Sequence, residues 1–213
     1  MKTRDFADRR RQMVTHQLEA RGIRDARVLA AMRDAPRHEF VSEEQLDLAY
    51  EDRALPTARG QTISQPFVVA LMLEALDTRP QDRALEVGAG SGYAAALLAR
   101  LVREVFAIER DPELAEQAVQ RLARLGVANV ELVCGDGARG WPERAPFDAV
   151  LVSAAAPRVP PALLEQLAPG GRLVVPVRAS GGGQTLLRIE RRADGELDTR
   201  DLGPVMFVPL VSD

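Results

Sequence analysis

The sequence predicts an α/β fold in which a mostly parallel sheet is covered by helices on both faces. Three observations carry this. From Ala84 to Val177 short apolar runs alternate with helix-patterned segments, the signature of a covered parallel sheet. The first run, Leu85 to Val87, stops at Gly88, Gly90 and Gly92 and passes at once into a helix-like stretch, Tyr93 to Leu101. Near the C-terminus only Arg178 to Gly183 separate two strand-like runs, too few residues for a parallel crossover, so those strands pair antiparallel.

Before the alternation lie short amphipathic helices. One spans Phe6 to Ala20, and a second spans Ala26 to Arg33 behind Asp25 as its cap. A third opens with Ser42 and Gln45 at capping-box spacing. Pro66 to Leu76 is the helix leading into the sheet, with proline in its first turn. The second strand, Val105 to Ile108, ends at Glu109. Asp111 then caps a helix with Pro112 at its first position, running from Glu113 to Leu125 and stopping at Gly126. The third strand is Val130 to Val133 and the fourth Asp148 to Val152, with a helix after Pro161. The fifth, Arg172 to Val177, follows the Pro169-Gly170-Gly171 turn, and the sixth is Gln184 to Arg191. Residues 1–80 thus form a helical segment with a loop, within the same domain as the α/β unit of 81–213.

Successive strand ends point to a ligand crevice. A glycine turn between strand and helix brings backbone N–H groups close to a ligand, although tight strand-to-helix packing would also select it. The dinucleotide fingerprint requires its third glycine where this chain has Tyr93, which turns the reading from NAD towards S-adenosylmethionine. Glu109, about 20 residues past the first strand's end, can accept from both ribose hydroxyls of a nucleoside. The third strand runs into Cys134-Gly135-Asp136-Gly137, placing Asp136 beside the adenine amine.

Bulk properties exclude several classes. The 213 residues suffice for one well-buried core. With 28 basic against 31 acidic residues, no field gathers nucleic acid or anionic membrane. Lys2 is the only lysine, a compositional skew rather than phosphate recognition. Cys134, the single cysteine, excludes an internal disulfide, fits a reducing compartment and reads as a small buried residue. Apolar runs stay short and the N-terminus is charged, so neither a membrane span nor a signal peptide is expected, and the location predicted is cytoplasmic.

The loop Leu55 to Pro66 is polar, carries glycine and proline, and feeds a helix N-terminus. Loops of this kind tend to be functional. Thr62 and Ser64 offer hydroxyls, and the N–H groups of the following helix offer a positive dipole end suited to a carboxylate. Alternatively Ser64 or Gln65 caps that helix, and the two roles are compatible.

On these residues the chain resembles the protein-L-isoaspartate O-methyltransferase family. Gly60-Gln61-Thr62-Ile63-Ser64-Gln65-Pro66 is similar to that family's hallmark loop, Leu85 to Gly92 to its cofactor motif, and Gly135-Asp136-Gly137 to its adenine-side motif. Phe147 to Pro157 and Val208-Pro209-Leu210 are similar to its fourth strand with the following loop and to its C-terminal signature. The resemblance implies a doubly wound Rossmann-like methyltransferase fold and S-adenosylmethionine-dependent methylation of the α-carboxyl of L-isoaspartyl residues in damaged proteins and peptides. The methyl ester then closes to a succinimide. It implies Ser64 as the catalytic residue and Thr62, Ile63, Ser64, Gln65 and Pro66 as substrate-binding. Gln61, Thr62, Glu86, Gly88, Gly90, Gly92, Glu109, Asp136 and Gly137 would bind the cofactor, S-adenosylhomocysteine would be the product, and no metal would be needed. The expected partners are isoaspartyl proteins, with no nucleic acid or membrane, and the chain is expected to be a monomer. One departure is Arg59, a bulky residue where relatives are often richer in glycine.

The chemistry explains what is missing. An α-carboxyl ionises near pH 3.5, about three units below neutrality, so no general base is needed. The two histidines, His16 and His38, lie in the N-terminal helices and read as structural or surface residues. The enzyme supplies proximity, alignment and exclusion of water. Small alanines in Ser153-Ala154-Ala155-Ala156-Pro157 do not hold a planar amino group, which argues against amine methylation. The rival readings are a carboxyl methyltransferase for a different aspartyl peptide, a non-catalytic cofactor-binding adaptor and, more remotely, a dehydrogenase.

Overall fold

The computed structural model describes residues 5–212; Lys2 lies outside them. The N-terminal part is helical almost throughout. Helix α1 (Phe6–Gln12) continues through a π-helical stretch, Met13–Leu18, and a 3-10 turn, Glu19–Arg21. Helix α2 (Ala26–Asp34) is capped by Asp25, whose carboxylate accepts from Arg27 N at 2.7 Å and Val28 N at 3.3 Å. The capping box expected at Ser42 does not form. Residues Glu43–Leu48 are a 3-10 helix whose Ser42 makes no side-chain cap bond. A two-stranded hairpin follows, β1 (Leu55–Pro56) with β2 (Thr62–Ile63), and then α3 (Pro66–Leu76), with the bounds its proline and apolar run predict.

The sheet is built from β3 (Arg83–Val87), β4 (Glu104–Glu109), β5 (Val130–Cys134), β6 (Phe147–Val152), β7 (Leu167–Arg178), β8 (Gln184–Arg191) and β9 (Leu197–Val205), in the order β5-β4-β3-β6-β7-β8-β9. Pairings from β5 to β7 are parallel, and β7–β8 and β8–β9 are antiparallel. The connecting helices are α4 (Tyr93–Leu98), α5 (Pro112–Arg124) and α6 (Pro161–Glu165). The doubly wound, mostly parallel fold with antiparallel C-terminal strands is therefore present. The edge strand β9 was not marked by the pattern, and β7 starts at Leu167, absorbing the turn at Gly170.

Strand side chains alternate between two cores, as the period of two requires. Ala84, Val105, Ala149 and Leu151 join α3, α4 and the N-terminal helices on one face, in a cluster with Met13, Leu18, Met32 and Leu97. Leu85, Val87, Phe106, Val150 and Val152 join Leu163 of α6 on the other. Glu86 shares the face of Ala84 and is fully buried.

Cys134 is exposed, contrary to the sequence reading. Its strand is the outermost of the sheet, so the strand end is not covered, and Sγ lies 3.4 Å from Arg110 O.

A buried ion pair ties the far end of the sheet to α3. Arg172 and Asp82 meet at 2.7 Å with both side chains almost fully buried. Arg172 Nε also donates to Leu76 O at 2.9 Å, and Asp82 accepts from Arg79 N at 2.8 Å. Removing one partner leaves a buried charge uncompensated, which costs about 3–5 kcal/mol. Asp82→Ala is therefore expected to lose about 3 kcal/mol in urea unfolding, the lower end because the carbonyl contacts of Arg172 persist.

Candidate active site

The site lies at the carboxyl ends of β3, β4 and β6, where neighbouring connections leave β3 to opposite sides. The glycine turn after β3 is drawn tightly onto its neighbours. Gly88 N and Ala89 N donate to Ile108 O at 2.8 and 3.1 Å, and Gly92 N donates to Ala89 O at 2.8 Å. Gly88, Gly90 and Gly92 all have positive φ, a region glycine enters without strain. Gly90 N donates to Glu109 Oε2 at 2.7 Å, and Asp111 N to Glu109 Oε1 at 3.0 Å. The N–H groups of residues 88, 89, 90 and 92 are thus spent inside the turn.

Three connected cavities meet at Thr62. One of them, about 360 Å3, is lined by Gln61, Thr62, Gly88, Gly90, Glu109, Asp111, Gly137 and the C-terminal run Val208 to Val211. Behind it a space of about 40 Å3 is lined by Glu86, Ser153, Tyr93, Met72, Ile63 and Ser64. That space holds a small headgroup, not a nucleoside. Outside, a groove is lined by Thr62, Ser64, Gln65, Val68 and Pro204 to Val208.

Glu86 is the electrostatic centre. Oε1 accepts from Ser153 Oγ at 3.2 Å, whereas Oε2 is buried and has no hydrogen-bond partner. Burial pushes its carboxyl up to about 8; the Ser153 hydrogen bond and the Ala95 backbone N–H oppose this, and nearby Glu109 adds to it. An orphaned acceptor beside a small cavity asks for a cation or a donor from a ligand. Glu109, nearly buried, offers an acceptor in the larger cavity. At Gly137 a Cβ would stand 2.4 Å from Val87 Cγ1, so the adenine-side turn approaches β3 as only glycine can. Together these acceptors fit a nucleoside with a cationic tail.

The remaining predicted residues fall around this core. Gly92 lies outside the cavity lining; a Cβ there would meet Ala118 Cβ at 3.3 Å, so it serves the packing of α4 on α5. Asp136 also lies behind the lining, accepting from Ala138 N at 3.0 Å at the start of a short 3-10 turn. Ile63 and Pro66 are buried, Ser64 and Gln65 half-buried.

Neither Ser64 nor Gln65 caps α3. The cap is Asp52, fifteen residues upstream of Phe67, whose Oδ1 accepts from Phe67 N at 2.9 Å. Oδ2 accepts from Gln65 Nε2 at 2.7 Å and pairs with Arg21, whose guanidinium lies 3.7 Å over the Phe67 ring. A carboxylate of the chain itself therefore occupies the dipole end assigned to the substrate. The sequence reading missed Asp52, and its only signal is an acid in an otherwise unremarkable turn. Phe207 and the Val208–Val211 lining were missed as site walls for a similar reason, since their strand neighbours were not recognised. His38 stacks on Phe6 at 4.1 Å and bonds Tyr50 through Nδ1 at 2.7 Å, while His16 is exposed; both lie among the N-terminal helices. Among the described residues no group of three or more His, Cys, Asp or Glu is arranged to hold a metal, and no helix is long and apolar enough to cross a membrane.

Comparison with known proteins agrees with this geometry. Residues 9–213 match the family model described as protein-L-isoaspartate(D-aspartate) O-methyltransferase. A protein-L-isoaspartate O-methyltransferase of Methylorubrum extorquens is 59% identical, the match covering 97% of this chain and 90% of the relative. One from Marinobacter nauticus is 54% identical over 98% of this chain and 95% of its own. A solved protein-L-isoaspartate O-methyltransferase superposes with a TM-score of 0.85 at 31% identity, covering 93% of this chain and spanning 65% of that longer chain. A Plasmodium falciparum protein described as the same type of enzyme, in complex with S-adenosyl-L-homocysteine, gives 0.82 at 26% identity over 96% and 99% of the two chains. The chain belongs to the protein-L-isoaspartate(D-aspartate) O-methyltransferase family.

Proposed function

We propose that this chain is a protein repair methyltransferase that moves the methyl group of S-adenosylmethionine to the α-carboxyl of L-isoaspartyl residues in damaged proteins and peptides. The observation that carries it is the meeting, at Thr62, of a nucleoside-sized cavity, the unpartnered Glu86 oxygen and the groove bearing Ser64. Membership of the family supports the same reading.

S-adenosylmethionine, when bound, supplies a methyl group made electrophilic by its sulfonium. In this reading Glu109 holds the ribose hydroxyls, and the turns at Gly88, Gly90 and Gly137 let the nucleoside lie close to the backbone. Gln61 and Thr62 form the wall shared with the hairpin. Glu86, steadied by Ser153, takes the amino group. Gly92 and Asp136 act from behind, holding α4 and the adenine-side turn in place. Ser64 and Thr62 direct hydroxyls at a carboxylate that arrives ionised, so they orient it without moving a proton. Ile63, Gln65 and Pro66 shape the pocket floor, and Asp52 keeps that segment rigid from below. Apolar walls from Val68, Val205 and Phe207 limit water around the carboxylate, which strengthens its nucleophilicity. The resulting ester closes to a succinimide on the substrate as a backbone amide nitrogen of the peptide attacks the ester carbonyl, loses its proton and displaces methanol. Residues 1–80 and 81–213 act as one unit, because the hairpin belongs to the first and the cofactor turns to the second. The near-balanced charge supports a chain that engages neither nucleic acid nor membrane, and the single cysteine fits a reducing, cytoplasmic compartment.

Tritiated methyl transfer to an isoaspartyl peptide and to its aspartyl twin tests the reading. Label is expected in the first and negligible in the second, because only isoaspartate carries its α-carboxyl on a short branch. Equal labelling of both, or of neither, contradicts it.

Ser64→Ala is expected to lower the methylation rate by about ten- to a hundredfold, the worth of one hydrogen bond to a charged group, with cofactor affinity and melting temperature nearly unchanged. Asp52→Ala is expected to lower stability by about 0.5–2 kcal/mol through loss of the α3 cap. With cofactor saturating, the native rate should be flat from about pH 6 to 8, since neither the carboxylate nor Ser64 titrates there. Rates, melting curves and a pH profile on the three proteins check this.

A further inference from the structure

We infer that Arg59 is a positioning residue for the cofactor: it straps the tip of the β1–β2 hairpin to the start of α5 across the mouth of the nucleoside cavity. The inference rests on the cofactor reading above and extends it to how cofactor and product exchange.

The hairpin is short and fixed at its base. Leu55 pairs with Ile63 and Pro56 with Thr62, and Thr57 N donates to Gln61 O at 2.8 Å. At the tip Arg59 adopts φ 62° and ψ 27°, the left-handed region, followed by Gly60 at φ 70°. Glycine would adopt the Arg59 conformation without strain, so the arginine there is an outlier that something must hold. What holds it is ionic. Nε lies 2.9 Å from Asp111 Oδ2, and Nη1 lies 3.4 Å from Glu113 Oε2. The cavity is lined by Gln61 and Thr62 from the hairpin and by Glu109, Asp111 and Pro112 from the end of β4 and the start of α5, so the ion pairs join two of its borders.

The two arms of the strap differ in freedom. Asp111 is locked, because Oδ1 caps α5 by accepting from Glu113 N at 2.9 Å and Leu114 N at 3.1 Å. The Leu114 N–H, and then Arg59, hold its carboxyl below the usual carboxylate range, so it stays charged at neutral pH. Arg59 sits on a hairpin tip and its side chain is half exposed, at 52%. Opening therefore happens on the Arg59 side. Exposed pairs are weak and are screened by salt, which suits a strap that must release product at every turnover. The hallmark-loop residues Gln61 and Thr62 follow the tip directly, so closing the strap also sets their wall against the cofactor.

The test is the dissociation rate of S-adenosylhomocysteine, measured by stopped-flow displacement on the full chain. Native protein is compared with Arg59→Ala and Arg59→Lys at low and high salt, beside melting temperatures. Arg59→Ala should release the product about two- to fivefold faster at low salt, the range for an exposed pair, and should lose the salt response. Native protein should accelerate with salt towards the Arg59→Ala rate, and Arg59→Lys should restore part of the retention. A native-like rate in Arg59→Ala, or a lowered melting temperature with an unchanged rate, overturns the strap and leaves the cofactor reading standing. Failure of native protein to bind S-adenosylhomocysteine at all overturns both.

Discussion

The position of β3 is the constraint on which the site depends. The chain leaves β3 for β4 on one side and later returns to β6 on the other, so the connections diverge at its carboxyl end and open a crevice. Backbone bonds then fix every wall to β3 or its neighbours. Gly88 N reaches Ile108 O, Ser153 N reaches Val87 O at 2.8 Å, and Gly135 N reaches Glu109 O at 2.9 Å. These bonds hold the glycine turn, Glu109, Ser153 and Gly137 in one frame. The same frame buries Glu86 in mid-strand with one oxygen lacking a partner. An unsatisfied buried polar group costs about 1–3 kcal/mol, a cost that makes sense where a ligand later supplies the missing partner.

The N-terminal helices complete the site from the opposite side. They share a core with α3 and α4, in which Tyr93 is buried beside Phe40 and Met32. Tyr93 stands where a dinucleotide fold would need glycine, and its burial under these helices gives that substitution a packing reason. Asp52 then carries the rigidity of this layer into the hallmark loop by capping α3 and holding Gln65. Charge, packing and loop geometry thus set the groove bearing Ser64 against the cavity at Glu109.

Much of this was legible in the residues, and the exceptions have physical causes. Helices α3 and α5 carry proline in the first turn, and Asp111 caps α5 locally, so their bounds follow from the chain alone. Strand β8 follows from the impossibility of a short crossover. By contrast β9 has six of its nine residues exposed and none buried, so no alternation marks it. Cys134 depends on strand order, which places its strand at the edge. The Asp52 cap depends on a contact fifteen residues away, invisible to local capping rules. The glycines were legible as a turn, but not the bonds from Gly88 N to Ile108 O and from Gly90 N to Glu109, which depend on the neighbouring strand.

In the proposed function the buried Glu86 oxygen meets the cationic group of the cofactor, and protons counted on binding report that meeting. Burial holds this carboxyl near 8, so at pH 7 the free chain carries it mostly protonated. A cation bound beside it favours the ionised form, and the proton must leave. Calorimetric titration with S-adenosylhomocysteine in two buffers of different ionisation enthalpy should show about one proton released per ligand at pH 7, declining above about pH 8, and none from Glu86→Gln. Binding without proton release in the native chain, or equal release from Glu86→Gln, would contradict the account.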